Sequence, residues 1–138
     1  MNNGLNGVRI LITGAGRGLG RSHALHLASQ GAEIIIHDLV SDAAEETLSN
    51  LESSGYKGTL LVTDIRDITS FQSDLQSCGR VDVLVNNAGI GGEGRKIEDI
   101  DLSIFDEMMR VHVAGSFFAT KALLPQMKSR KKGKIINI

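Results

Sequence analysis

The sequence predicts an α/β fold: a parallel sheet with crossover helices, interrupted after its fifth strand. Three observations carry this. Short apolar runs alternate with longer amphipathic ones along the whole chain, the pattern of strands joined by covering helices. A glycine-rich stretch separates the first strand from the first helix. The last residues again read as a strand, and the chain ends there.

Val8 to Thr13 (VRILIT) reads as a buried strand, followed by the glycine-rich stretch Gly14 to Gly20 and a helix to about Gln30. Gly31 is placed to end that helix. Glu33 to Asp38 (EIIIHD) is the second strand, β-branched and almost wholly apolar. Ser41 is positioned to cap a helix running to about Ser54, before Gly55. Thr59 to Thr63 is the third strand, and a shorter helix covers about Asp67 to Cys78. Val81 to Asn86 (VDVLVN) is the fourth strand.

A loop holding Gly89, Gly91, Gly92 and Gly94 comes next, its stretch Ile90 to Glu98 fitting either a substrate loop or a plain connection. One long helix is then expected from about Ser103 to Arg130, with Ile104, Phe105, Met108, Val111, Phe118 and Ala122 at helical spacing. Pro125 is expected to kink it or loosen its last turn. Lys134 to Ile138 (KIINI) is the fifth strand. With no crossover helix after it, that strand leaves an apolar face and edge open, so more polypeptide normally follows or another partner covers it. Residues 1–138 read as one such domain, incomplete at its C-terminus.

Composition narrows the function. Hydrophobic residues make up 41% of the 138 and charged residues 22%, ordinary for a soluble globular protein. No apolar run approaches bilayer length, and MNNGLNGVRI has neither the basic nor the apolar region of a secretion signal. Fifteen basic and sixteen acidic residues nearly cancel, giving no electrostatic reason to expect nucleic acid or membrane as a partner. The cluster Arg130, Lys131, Lys132 and Lys134 reads as a solvated helix end. The single cysteine, Cys78, makes no internal disulfide, and the cytoplasm is the default location. His23, His26 and His37 have no acidic partners at ligand spacing, which speaks against a metal site.

The turn after the first strand, Thr13-Gly14-Ala15-Gly16-Arg17-Gly18-Leu19-Gly20, suits a phosphate. The first N–H groups of a helix lack intrahelical partners, and the helix dipole favours an anion there. The spacing G-x-G-x-x-G is absent, and no Gly-Lys-Ser/Thr closes a P-loop. Asp38 ends the second strand, where a carboxylate can accept hydrogen bonds from the ribose hydroxyls of an adenosine. Asp64, by the same logic, stands where it can contact the adenine amino group.

Together, T-G-x-x-x-G-x-G after the first strand, Asp64 after the third, and Asn86-Asn87-Ala88-Gly89 after the fourth resemble the short-chain dehydrogenase/reductase family. The resemblance covers nearly the whole chain. It implies a doubly wound Rossmann-type parallel sheet, order 3-2-1-4-5 for the strands present, and a nicotinamide dinucleotide as cofactor. Gly14, Arg17, Gly18, Leu19 and Gly20 would form the cofactor loop. Asp38 with Leu39, Asp64 with Ile65, the segment Asn87, Ala88 and Gly89, and Val111 on the long helix complete the implied set. NAD is expected over NADP, because Asp38 would face the extra 2′-phosphate at a cost of roughly 1 to 4 kcal/mol. Arg17, a basic residue within the loop, works in the opposite direction.

In that family the chemistry rests on a serine after the fifth strand and a Tyr-x-x-x-Lys pair on the next helix, acting on a secondary alcohol or ketone. Here the only tyrosine is Tyr56, and Leu60 stands where its lysine would be. The serine would fall beyond Ile138. The 138-residue chain alone is therefore expected to be inactive. The family's helical asparagine position holds His112, as in some hydroxyacyl-CoA dehydrogenases of fatty-acid oxidation. His112 fits a proton relay, since an imidazole titrates near pH 6.5, and equally an interior histidine with no catalytic part. The long helix is a frequent dimer surface in the family, so a homo-oligomer is expected. A non-catalytic dinucleotide-binding or oligomerising module is the competing reading. A nucleotide-dependent methyltransferase leaves Asn86 to Gly89 unexplained.

Overall fold

Five parallel strands form one sheet in the order β3-β2-β1-β4-β5, in a computed structural model that describes residues 4–92 and 94–138. Residues 1–3, where the reading of a missing secretion signal begins, and Glu93 of the glycine-rich loop lie outside the described residues. In chain order the elements are β1 (Arg9–Thr13), α1 (Gly18–Ser29), β2 (Glu33–Asp38), α2 (Ser41–Ser53) and β3 (Gly58–Val62). They continue with α3 (Ile68–Ser77), β4 (Val83–Asn86), α4 (Leu102–Met109), α5 (Gly115–Ser129) and β5 (Lys134–Asn137). None of the described helices is long and apolar enough to cross a membrane.

The sheet is apolar on both faces because helices cover both, as a parallel sheet requires. Residue alternation divides the core. Leu11, Ile35 and Leu84 pair across β1, β2 and β4 and pack with Phe71, Leu75 and Leu123 from α3 and α5. Ile10, Ile12, Ile34 and Ile36 face the other way, against Ala24 and Ala28 of α1 and Ala44 and Leu51 of α2. Buried alanines on α1 bring that helix close to the strands. β5 contributes less: Ile136 and the following Ile138 remain 44% and 68% exposed, the open apolar face expected of the last strand.

Helix ends follow local chemistry. Gly31 (φ 100°) and Gly55 (φ 78°) stop α1 and α2 in the left-handed conformation that glycine adopts without a Cβ penalty. Asp67 caps α3 by accepting from the Ser70 N–H at 3.2 Å. Ser41 does not cap α2. It is the first helical residue, and its hydroxyl donates to Glu45 Oε1 at 2.8 Å. Val40 holds the N-cap position without a side-chain cap, and its own N–H donates to Asp38 Oδ1 at 3.0 Å.

Several expected boundaries move. β1 starts at Arg9, β3 is shifted one residue towards the N-terminus, β4 starts at Val83, and β5 ends at Asn137. The long helix is not continuous α-helix: Arg110–Ala114 forms a π-helical turn between α4 and α5. Pro125 lies inside α5, which continues to Ser129. The basic cluster also divides, because Arg130 leaves the solvated group to bond Asp82 Oδ1 and the Val81 carbonyl, both at 2.6 Å. Asp82 also accepts from the Arg9 N–H at 2.9 Å, so the amino ends of β1 and β4 are tied to the end of α5. Burial works to raise the Asp82 carboxyl, but these donors and Arg80 outweigh it and hold it below the usual range.

His37 on β2 is 1% exposed, lies 5.0 Å from the Phe71 ring, and places Nε2 3.1 Å from the Thr63 carbonyl. Burial lowers its pKa from 6.5 to about 4, with Asp38 and the Thr63 carbonyl opposing the shift. Above pH 6.5 neither folded nor unfolded chain protonates it. As pH falls, the unfolded chain takes up the proton first, and stability is lost down to the folded pKa. Wild-type chain should therefore lose about 2 kcal/mol more than His37→Gln between pH 7 and pH 5, measured by urea unfolding. Equal losses would contradict burial as the cause.

Candidate dinucleotide cleft

The carboxyl ends of β1, β2, β3 and β4 open into a cleft of about 370 Å³. Its floor is built around Thr13, whose side chain is almost wholly buried. The Thr13 hydroxyl accepts from the N–H groups of Asn87 and Ala88, each at 3.0 Å. Asn87 Nδ2 returns to the carbonyls of Thr13 and Gly14, at 3.0 and 3.2 Å. One residue earlier, at the end of β4, Asn86 Nδ2 donates to Asn137 Oδ1 of β5 at 2.8 Å.

The glycine loop leaves β1 through Gly14, at φ 65°. A Cβ there would stand 2.9 Å from the Ala88 Cα. Gly20, on the first turn of α1, is tighter still, since its Cβ would lie 2.1 Å from the Gly14 carbonyl oxygen. Gly18 differs: φ is 55°, yet open space surrounds the missing Cβ. Arg17 stands at the N-cap position and provides no side-chain cap for α1. The helix thus presents uncapped N–H groups beside the cleft, the arrangement that attracts an anion.

Asp38 follows from β2 and is 8% exposed. Its Oδ2 accepts from the Gly16 N–H at 2.8 Å and its Oδ1 from the Val40 N–H at 3.0 Å. A carboxylate has about four acceptor sites, so capacity remains. Asp64 is more fully engaged. Arg66 meets it through Nε (2.9 Å), Nη2 (2.8 Å) and its own backbone N–H (2.9 Å). Hydrogen bonding from Arg66 keeps the Asp64 carboxyl below the ordinary range, against a smaller opposing effect of burial. Arg66 also reaches Glu107 of α4, so this side of the cleft is strapped to the helix.

Of the residues expected at a site, Gly14, Arg17, Leu19, Gly20, Asp38, Leu39, Asp64, Ile65, Asn87, Ala88, Gly89 and Val111 all line this one cleft. Gly18 does not line it. His112 stays outside but touches its wall: the ring Nε2 lies 2.7 Å from the Ile90 carbonyl oxygen and 3.1 Å from the Ile90 N–H. One ring nitrogen serves only one of these at a time. His112 instead borders a second hollow with Ser116, Thr120 and Asn86. His37, Val40, Thr63, Arg66 and Ile90 also line the cleft; sequence reasoning did not place them there, though it read Ile90 as the start of a substrate loop or plain connection. Val40, Thr63, Arg66 and Ile90 lie within two residues of expected ones, so widening the strand-end rule would have found them. Among the described residues no group of three or more metal-ligating side chains assembles.

A cleft at the carboxyl ends of a sheet of this order, roofed by an uncapped glycine-rich helix start, defines a dinucleotide-binding α/β protein. The chain belongs to the short chain dehydrogenase family, whose pattern matches residues 9–138. It is 40% identical over 141 residues to 2-(S)-hydroxypropyl-CoM dehydrogenase 3 of Xanthobacter autotrophicus, covering 99% of this chain and 55% of that protein. It superposes with a TM-score of 0.87 at 33% identity on a gluconate 5-dehydrogenase from Burkholderia cenocepacia in complex with NADP and tartrate, covering 96% of this chain and 53% of the other. A 3-oxoacyl-[acyl-carrier protein] reductase with bound NAD from Brucella melitensis gives 0.90 at 27% identity, with 99% and 54% covered. The chain spans about half the length of the curated relatives it matches.

Gly18 and Gly20 differ in what a methyl group would meet, so their alanine variants should differ too. Gly18→Ala should cost about 1 kcal/mol of stability, from left-handed strain alone. Gly20→Ala should cost at least about 3 kcal/mol, since backbone must move. Denaturant titration of both variants checks this, and equal costs would contradict the packing described.

Proposed function

We propose that the chain forms the dinucleotide-binding part of an oxidoreductase that moves a hydride between NAD and a secondary alcohol or ketone. The observation that carries this is the cleft itself, where an uncapped helix start, a strand-end carboxylate and close-packed glycines converge. The residues fit the group. The N–H groups at the start of α1 hold the pyrophosphate, and Gly14 and Gly20 leave no Cβ between loop and cradle. Asp38 accepts from the adenosine ribose hydroxyls with its two remaining acceptor positions. Leu39, 53% exposed at the cleft, and Ile65 supply apolar surface for the adenine. Ala88, Gly89 and Val111 wall the nicotinamide end. When bound, the nicotinamide supplies or accepts the hydride.

NAD is favoured over NADP by Asp38, since a 2′-phosphate would meet its buried carboxylate. Arg17 makes no ion pair among the described residues and offsets part of that repulsion. Arg21 does not, because its guanidinium is committed to Glu46 and the Gly16 carbonyl. The relatives solved with NADP and with NAD show that the fold accepts both. The serine and the Tyr-x-x-x-Lys pair that handle the substrate proton in this family are not in the sequence, so the 138-residue chain binds dinucleotide weakly and does not turn over by itself. The lone thiol, Cys78, favours a reducing compartment such as the cytoplasm.

One observation favours a second use of the same chain, as an oligomerising module. Leu102, Phe105, Met109, Val113 and Phe117, spaced along α4, the π-helical turn and α5, are each at least 42% exposed. A homo-oligomer through this row suits either reading.

Titrating the chain with NADH and NADPH tests the cofactor assignment. NADH should bind more tightly, and Asp38→Asn should reduce that preference by about fivefold or more. Equal affinities in the wild type would overturn the NAD assignment. Reduction of NAD by the purified chain with any secondary alcohol would overturn its inactivity.

A further inference from the structure

Gly16 is gripped from three elements at once. Its N–H donates to Asp38 Oδ2 of β2 at 2.8 Å. Its carbonyl accepts from Arg21 of α1 through Nη2 at 2.5 Å and Nε at 2.9 Å. Thr47 of α2, fully buried, places its hydroxyl 3.2 Å from the same carbonyl and 3.0 Å from that of Ala15. The Thr47 oxygen in turn accepts from Arg21 Nε at 3.0 Å. A Cβ at Gly16 would fall 2.7 Å from Asp38 Oδ2 and 2.9 Å from Ala43 Cβ, so the loop is pressed directly against the carboxylate.

Arg21 is fixed in turn by Glu46. Nη1 and Nη2 reach its two oxygens, each at 2.8 Å. Such bidentate, charge-assisted pairs are the most directional polar contacts a side chain makes. The planar fork lets one guanidinium hold a carboxylate on one side and a carbonyl on the other, which a lysine ammonium does not reproduce. The outcome is a line of contacts from Glu46 through Arg21 and the Gly16 peptide to Asp38.

We infer that the Arg21–Glu46 pair is a positioning element that sets the choice between NAD and NADP, by holding Gly16 against Asp38 and so fixing where the carboxylate faces. The inference rests on the dinucleotide reading above and deepens it. Arg21 does not line the cleft. It acts by keeping the Gly16 N–H on Oδ2, while the Val40 N–H holds Oδ1. Releasing it lets the loop withdraw and frees the carboxylate to turn. Hydrogen bonds to the ribose hydroxyls are then lost, whereas NADPH, which gains least from Asp38, is little affected. Releasing Glu46 has a second effect in the same direction, since a freed Arg21 offers positive charge to a 2′-phosphate.

The test compares NADH and NADPH dissociation constants, by nicotinamide fluorescence, for wild type, Arg21→Met, Arg21→Lys and Glu46→Gln. Circular dichroism checks that each variant is folded. Arg21→Met should weaken NADH about tenfold and NADPH by less than about twofold, collapsing the ratio. Arg21→Lys should behave as Arg21→Met. Glu46→Gln, at a side chain 62% exposed, should shift the ratio the same way by a smaller factor, and it decides the matter if the Arg21 variants do not fold. Proportional weakening of both nucleotides, or an unchanged ratio in Glu46→Gln, would overturn the inference. A wild-type ratio near one would instead overturn the NAD assignment on which it rests.

Discussion

The hydroxyl of Thr13 holds the two halves of the cleft together. Beyond the last paired residues of β1 and β4 the strands diverge, and their next backbone groups would be buried without partners. Thr13 Oγ1 takes two of these N–H groups, from Asn87 and Ala88, while the Asn87 amide takes the Thr13 and Gly14 carbonyls. Each buried group left unpaired costs about 1–3 kcal/mol, so this small network fixes the separation of the two loops. The glycine loop leans on that floor, with Gly14 against Ala88 and Gly20 against Gly14. The start of α1 then has nowhere else to point.

Charge is distributed to match. At the amino end of the sheet, Asp82 is consumed by Arg9, Arg80 and Arg130 and serves only to bind strands to helix. At the carboxyl end, Asp38 is satisfied by backbone N–H groups rather than by a cation, and keeps a net negative charge facing the cleft. Asp64 lies between these cases, since Arg66 neutralises it while leaving the pair at the cleft wall. The two ends of one sheet therefore place the same residue types differently, tied between strands and helix at one end and lining the cleft at the other.

Much of this was legible in the sequence. Glu33–Asp38 is bounded as expected, because three consecutive isoleucines between a turn and a charged end leave no other element. Gly31 and Gly55 stop their helices by the left-handed conformation that marks them as stops. The strand-end rule found Asp38 and Asp64, and the glycine loop and the family resemblance supplied most of the other cleft residues. What escaped depends on partners remote in sequence. Arg130 finds Asp82 across 48 residues, and a basic run gives no sign of it. Ser41 looked like a cap, but the helix begins one residue earlier than that reading needs, with Val40 at the N-cap position and Ser41 already helical. The π-helical turn at Arg110–Ala114 was invisible because one extra residue barely disturbs an apolar period read over so long a stretch. The relation of His112 to Ile90 likewise exists only once that turn has placed the ring.

The central claim is that the carboxyl ends of β1, β2, β3 and β4 form one dinucleotide site already shaped by the fold. It is tested most directly by recording amide proton–nitrogen spectra of the chain during a titration with NADH. The account predicts perturbed signals confined to Gly14–Gly20, Asp38–Val40, Asp64–Arg66 and Ala88–Ile90, with the amino-end residues around Asp82 unmoved. Perturbations centred elsewhere, or none at saturating nucleotide, would contradict it.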